Sequence, residues 1–365
     1  MPAESQPLKI VFFSSSEFTK PILENLFQAQ GKTLLTVVNE QYFNLSADIQ
    51  QHLNLPEKFF TDQQLSQFTV NLVGVVSQAN KTLRNQILVN PIPQKALDLG
   101  LPTFLPEKLN REWTHSDFLS KGIDFGIVAS YGQIVSQTVL DLAKYKFINW
   151  HPSDLPKYRG ASPMQTALLN GDSHTTLSWI EMTKEMDAGD IWLKIPQVIK
   201  SQETFTDLAK TMSFLGANTW AIVIAKILLA DKYSWQGQPQ DHAQATFCSK
   251  QTKTDALIEP KSYTSKDLFN RWRAFVEFPK TKFYSTYFQQ LVTLDWCTGY
   301  CLALPKLSNK SDKILYTDSE WTQIKLNKQL KTFLHTASGY LEAVSYTHLR
   351  AHETPEHLVC RLLLE

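Results

Sequence analysis

Phe147-Ile148-Asn149-Trp150-His151-Pro152-Ser153-Asp154-Leu155-Pro156-Lys157-Tyr158-Arg159-Gly160 is the run around which the chain is organised. Tyr145, Phe147 and Ile148 form a short apolar run, the mark of a buried strand, and it ends in a loop carrying Asn149, His151 and Ser153. In open α/β folds ligands sit at the carboxyl ends of strands, so polar side chains gathered there are placed for chemistry. Leu155 to Gly160 supplies two punctuators around a basic-aromatic core, which predicts a loop of fixed shape. Pro163 then opens an apolar pattern (Met164, Ala167, Leu168) suited to a helix with proline in its first turn.

A second segment runs from Thr176 to Asp190. Leu177, Trp179 and Met182 alternate loosely, as a strand does, and Met186-Asp187-Ala188-Gly189-Asp190 makes a tight acidic turn before a new apolar run at Ile191. Taken singly, a histidine at a strand end is more often structural, and an aspartate before a small residue and glycine is usually a turn. Together, an amide, an imidazole and a carboxylate on neighbouring strand ends form a working set. Histidine moves protons near neutral pH, a carboxylate holds its tautomer, and an amide donates to a developing oxyanion.

The run Asn149 to Pro163, followed by Asn170-Gly171-Asp172 and Met186 to Asp190, resembles the signature of folate-dependent formyltransferases. The resemblance implies an α/β, Rossmann-like formyltransferase domain with a mostly parallel sheet, followed by a small OB-like β-barrel. It implies transfer of a formyl group from 10-formyltetrahydrofolate to the α-amine of an initiator methionyl-tRNA, without a metal. Asn149 and His151 would then donate to the formyl oxygen, and Asp187 would hold His151 or an ordered water. Ser153, Asp154, Leu155 and Pro156 would form the folate-contacting loop, although Asp154 stands where the family more usually has leucine. Tyr131, Gly132, Gln133 and Ile134 would line the folate pocket; the residues alone equally describe an ordinary strand-to-helix turn. The tRNA side would draw on Lys81, Arg84, Arg159 and Arg273, with Trp272, Lys280 and Lys282 as further candidates. Rival readings are a formyltransferase acting on an amino sugar or a purine-pathway amine, a formyl-folate hydrolase, and a non-catalytic RNA-binding homologue.

Outward from this centre, Lys9 to Phe13 reads as the first strand, followed by Ser14-Ser15-Ser16-Glu17 and a helix from Phe18 to about Gln28. The family usually carries a glycine where this chain has Ser14. Gln30 to Thr69 reads as an insertion before a strand at Val70 to Val76. Ser77 to Gln86 occupies the place of the family's basic loop for the tRNA acceptor arm but lacks its proline and glycine pattern. Asn90-Pro91-Ile92-Pro93 and Gly100 to Leu109 again resemble the family. Ile123 to Ala129 reads as a buried strand, and Glu203 to Ala230 as one long amphipathic helix.

At 365 residues, with 43% hydrophobic and 19% charged residues, the chain is long enough for two domains and is not of disordered composition. The expected division is a formyltransferase domain over 1–230, a linker over 231–243 and a tRNA-binding domain over 244–344. The net charge is +1, but residues 244–344 carry 14 Lys and Arg against 9 Asp and Glu. Cys248, Cys297, Cys301 and Cys360 show no paired metal spacing and read as free thiols in a reducing compartment. No signal peptide fits, and the longest apolar stretch, Trp220 to Ala230, is too short to span a bilayer, so a soluble, cytoplasmic, monomeric protein is expected. Ser345 to Glu365 departs from the pattern and reads as a non-native read-through tail. Its His348, His352 and His357 are not taken as a metal site.

Overall fold

The computed structural model describes residues 5–83, 86–109, 122–285, 290–301, 303–304, 313–317, 321–326 and 329–348. Among them the chain divides into two compact units. The first comprises Met1–Pro163, His174–Gln197 and Ala209–Cys248; the second comprises Met164–Ser173, Val198–Leu208 and Ser249–Glu365.

The first unit is built on a seven-stranded sheet: β1 Gln6–Ser14, β2 Phe68–Val76, β3 Thr103–Phe104, β4 Ile123–Ala129, β5 Ala143–His151, β6 His174–Glu181 and β7 Ile191–Val198. Its order is β7-β6-β5-β4-β1-β2-β3. The pairs β1–β2, β1–β4, β4–β5 and β2–β3 are parallel, and β5–β6 is antiparallel. Ser14 lies beside Ala129, and Ala129 beside Trp150, so three parallel strands end at one edge. That edge carries the site. β1 is apolar on both faces (Ile10, Val11, Phe12 and Phe13 are fully buried), as a central parallel strand must be. Each such side chain contributes about 1.5–3 kcal/mol by leaving water.

Helix α1 (Lys20–Gln28) follows β1 after a 3-10 turn at Glu17–Thr19, with Pro21 in its first turn and Ile22, Leu23 and Leu26 buried. Residues 30–69 are mostly helical: α2 (Leu34–Phe43), α3 (Ala47–Leu53), a 3-10 turn at Glu57–Thr61 and a short helical turn at Gln63–Ser66. Helix α4 (Pro91–Asp98) is capped by Asn90, whose Oδ1 accepts from Ile92 N at 3.1 Å. Between β2 and α4, Lys81–Leu83 and Gln86–Leu88 pair as a small antiparallel hairpin. Helix α5 spans Pro163–Asn170.

The single helix expected over Glu203 to Ala230 is instead α6 (Phe205–Ala217) and α7 (Trp220–Leu228), broken at Asn218-Thr219. The stretch 205–228 is long and apolar enough to cross a membrane, and most of it is buried inside the protein. No proline or glycine sits at the break. Side chains reroute it: Thr219 Oγ1 donates to Leu215 O (2.6 Å) and accepts from Trp179 Nε1 (2.9 Å), while Asn218 Nδ2 donates to Phe214 O (2.9 Å). Helix α2 and the residue after it complete the repair. Gln41 of α2 is buried; its Nε2 donates to Ala217 O (3.0 Å) and Asn25 Oδ1 (2.9 Å), and its Oε1 accepts from Ala221 N (3.0 Å). Asn44 Nδ2 donates to Asn218 Oδ1 at 3.0 Å. Further along, Asp62 binds Lys232 Nζ (2.7 Å) and accepts from Tyr233 Oη (2.9 Å), and Phe59 meets Trp235 edge-on.

The second unit carries a six-stranded antiparallel sheet, β8 Thr281–Ser285, β9 Gln290–Cys301, β10 Lys313–Thr317, β11 Trp321–Leu326, β12 Gln329–Thr336 and β13 Gly339–His348, in the order β8-β9-β13-β12-β11-β10. Helix α8 (Ser265–Ala274) buries Leu268, Phe269 and Trp272 in a core with Phe283, Val292 and Leu341. β13 continues past Val344, the expected domain end, and pairs His348 with Val292. Residues 349–365, with His352, His357 and Cys360, lie outside the described residues, as does Arg84.

Replacing Gln41 by Leu leaves the buried Ala217 carbonyl and Ala221 amide unpaired, a loss of about 2 kcal/mol or more. Hydrogen exchange at the Ala221 amide is therefore expected to quicken by about 30-fold, and an unchanged rate would show that Gln41 does not support the break.

Candidate active site

β5 extends through His151, so Asn149 and His151 belong to the strand rather than to the loop expected after it. Period-2 alternation puts both on one face, and sends Ile148 and Trp150 to the other. Trp150 is buried there, and its Nε1 donates to Met212 O at 3.1 Å. The antiparallel partner β6 delivers the turn that carries Asp187 back to the end of β5.

Asp187 is the meeting point. Its Oδ1 accepts from Asn149 Nδ2 at 3.1 Å, and its Oδ2 accepts from Gly160 N at 2.8 Å. His151 Nδ1 lies 3.6 Å from the same Oδ2, an ion-pair distance rather than a hydrogen bond. His151 Nε2 is 3.0 Å from Tyr158 O, and a carbonyl only accepts, so Nε2 carries a proton. Asp187 adopts φ 51°, a left-handed conformation that a non-glycine residue holds only when its surroundings enforce it. Asn149 has two amide protons and gives one to Asp187, which leaves the other for a ligand. With both ring nitrogens engaged and 4% of its surface exposed, His151 is more deeply held than expected for a direct donor to the formyl oxygen. Asn149 is the more open of the two.

The loop after β5 is fixed from within. Ser153 is fully buried, its Oγ donating to Lys157 O at 2.6 Å and its O accepting from Ser178 Oγ at 2.7 Å. Leu155 is also fully buried, against Ile180 and Ile191. Neither side chain is offered to a ligand, which corrects the expectation for both: they set the loop's shape. Asp154 points outward and pairs with Lys194 Nζ at 2.7 Å, and the same ammonium donates to Leu155 O. The peptide bond before Pro156 is cis. Arg159 corrects a second expectation. It is buried, with Nε and Nη2 donating to Gln240 Oε1 at 3.1 and 2.8 Å, and is not available to a phosphate. Nor is Arg273, buried in the second unit and donating to Asn270 Oδ1, Lys200 O, Glu203 O and Leu168 O. Trp272 is a core residue, Lys280 pairs with Asp295 at 3.6 Å, and Lys282 lies partly buried on β8.

At the end of β4, Ser130 and Gly132 have φ of 48° and 77°. Gln78 Nε2 donates to Tyr131 O at 2.6 Å and fixes the turn. Tyr131 is buried, and burial pushes its hydroxyl well above the ordinary tyrosine range. Gln133 Nε2 donates to Pro106 O at 3.3 Å, and Ile134 leaves 88% of its surface exposed. An exposed apolar side chain beside a tight turn suits one face and the polar edge of a flat heteroaromatic ring, so these residues fit a pteridine. Ser14, in the place of the family's glycine, is fully buried, and Ser77 Oγ donates to its carbonyl. Among the described residues no group of three or more His, Cys, Asp or Glu side chains is placed to hold a metal.

A family model described as formyl transferase matches residues 49–224. The chain is 34% identical over 212 residues to a methionyl-tRNA formyltransferase of Sulfurihydrogenibium sp., covering 57% of this chain and 67% of that protein. It is 34% identical over 207 residues to the methionyl-tRNA formyltransferase of Mycoplasmopsis pulmonis, covering 56% and 70%. The chain belongs to the methionyl-tRNA formyltransferase family. Among solved structures, an N-formyltransferase from Helicobacter canadensis matches with TM-score 0.55 at 14% identity, over 93% of this chain and 99% of that one. HypX from Aquifex aeolicus in complex with tetrahydrofolic acid matches with TM-score 0.52 at 12% identity, over 97% and 47%. At such identities the likeness is one of fold. Formyltransferases use 10-formyltetrahydrofolate. Sequence reasoning missed Gln240 and the segment around it, whose burial no local pattern announces.

Gly160 has φ 123°, and a Cβ there would lie 2.2 Å from Cys248 O. Gly160→Ala is expected to cost about 3 kcal/mol or more, because backbone must move. Gly299→Ala, whose Cβ meets nothing within 4 Å, stays within about 0.5 kcal/mol. Denaturation midpoints of the two variants check this, and equal midpoints would remove Gly160 from the account.

Proposed function

We propose that this chain transfers the formyl group of 10-formyltetrahydrofolate to the α-amine of methionyl-tRNA, and that Asn149, His151 and Asp187 carry the reaction. The observation that supports this reading most is the Asp187 carboxylate bound at once to Asn149 Nδ2 and Gly160 N, with His151 Nδ1 beside it. The folate donor supplies a formyl carbon on a nitrogen that can leave. The acceptor amine must be neutral to attack, and in the product the formyl carbon is bonded to that amine while the donor nitrogen has gained a proton.

The chain's own residues meet these demands in sequence. Asn149 donates a hydrogen bond from its second amide N–H to the formyl oxygen as negative charge builds there. Asp187 holds that amide in place through Oδ1. The His151–Asp187 pair takes the proton shed by the amine and returns it to the leaving nitrogen, directly or through water. Tyr158 O, accepting from His151 Nε2, keeps Nδ1 turned toward Asp187. The turn at Tyr131 to Ile134 receives the pteridine. Positioning two bound substrates supplies much of the acceleration, since no covalent intermediate with the protein is needed.

The second unit is read as the tRNA-binding module, an OB-like barrel. In support stand its antiparallel six-stranded sheet and the excess of 14 basic over 9 acidic residues across 244–344. Lys280 and Lys282 remain the basic candidates there, and the hairpin at Lys81–Leu88 on the first unit. Such a role places the protein in the cytoplasm.

The test is formylation of charged initiator tRNA by the full chain with 10-formyltetrahydrofolate supplied. Transfer is expected, falling by about 100-fold or more in His151→Ala and Asn149→Ala. A folded protein that binds folate yet transfers nothing to the tRNA would overturn the substrate assignment.

A further inference from the structure

The segment expected to be a linker, residues 231–243, is part of the frame around the site. Gln238 and Ile191 exchange two backbone hydrogen bonds of 2.8 Å, which docks the segment on the start of β7. Two residues on, Gln240 is 6% exposed and every hydrogen-bonding position of its amide is filled. Nε2 donates to Asp187 O at 2.9 Å and to Gly189 O at 2.7 Å. Oε1 accepts one hydrogen bond each from Arg159 Nε and Nη2.

Beyond it, the chain laces the other wall. Arg159 N donates to Thr246 O (2.8 Å), Tyr158 N to Thr246 Oγ1 (2.9 Å), Thr246 N to Pro156 O (3.2 Å) and Ala161 N to Cys248 O (3.1 Å). Phe247–Cys248 and Arg159–Gly160 pair as a two-residue parallel ladder. One amide therefore ties the backbone of the Asp187 turn to the side chain of Arg159, one residue before the Gly160 amide that Asp187 itself accepts from. Asp187 needs such a tie, because its left-handed φ is one that the unaided chain does not favour.

We propose that Gln240 is a positioning residue, which holds the Asp187 carboxylate at the working distance from Asn149, His151 and Gly160. The inference rests on the formyl-transfer reading for its effect on rate, but the geometric part stands apart from it. Gln240→Glu keeps an acceptor for Arg159 and loses both donors to the turn. Gln240→Met removes all four bonds at similar size. Either change lets the turn relax, and a displacement of about 1 Å at a catalytic group costs up to about 100-fold.

Both variants are to be compared with the full wild-type chain in steady-state formylation of charged initiator tRNA, with hydrogen exchange read over residues 182–192. The expected result is a fall in kcat of about 10- to 100-fold in each variant, with KM for the formyl donor and for tRNA within about threefold. Exchange over the turn should quicken, while the central strands keep their wild-type protection. A purely structural role would instead lower the folded fraction and leave kcat per folded molecule unchanged, and that result overturns the proposal. So does an active wild type whose variants retain kcat within twofold. If the wild type transfers no formyl group, the functional reading has failed and exchange alone decides. Quickened exchange confined to the turn then upholds Gln240 as its anchor, and unchanged exchange rejects it.

Discussion

A single carboxylate joins three parts of the chain that are far apart in sequence. Asp187 takes an amide proton from β5 through Asn149, a backbone proton from Gly160 beyond the Pro156 loop, and faces the imidazole of His151. Charge-assisted bonds of this kind are stronger than neutral ones, and a buried carboxylate left without them is costly, so each partner is bound to the others' placement. The unusual backbone at Asp187 and at Tyr158 (φ 59°) follows from the same need, since both turns are bent to bring their groups to one point.

Around that point the first unit spends its buried polar groups on rigidity. Ser153 closes its own loop, Gln78 fixes the turn under the expected pteridine, and Gln41 reaches from α2 into the break between α6 and α7. The last of these gives residues 30–69 a physical role, because Gln41 satisfies backbone groups that the interrupted helix leaves open. Trp220 shares Asn25 Oδ1 with Gln41, so α1, α2 and α7 meet through one side-chain oxygen.

What the sequence made legible was local. Asn149 and His151 stand two apart at the end of an apolar run, and Asp187 lies in a short acidic turn before another, so periodicity and order set them at a strand end and a turn that the fold brings together. Arg159 and Arg273 misled because the resemblance offered them as tRNA contacts and no neighbour in sequence announces their burial. Their partners, Gln240 and the carbonyls of Leu168, Lys200 and Glu203, are distant in sequence and invisible to any window. Ser153 misled in the same way: a serine in a ligand loop is as able to bond its own backbone as a ligand. The helix break at Asn218-Thr219 carries no glycine or proline, and side-chain bonds, local and tertiary together, accompany it. The stretch at Asp231 to Ala243 reads as a linker by composition, and only pairing with Ile191 turns it into part of the wall.

In the resting protein Asp187 holds the Gly160 amide. Glycine-selective nitrogen labelling reports this bond directly, with thirteen glycines to resolve. The Gly160 amide proton is expected far downfield and slow to exchange in the wild type. It should move upfield and lose protection in Asp187→Ala while glycines distant from the site stay in place. A Gly160 resonance that is unshifted by loss of the carboxylate would mean that Asp187 does not bind it, and the account of the site would fall.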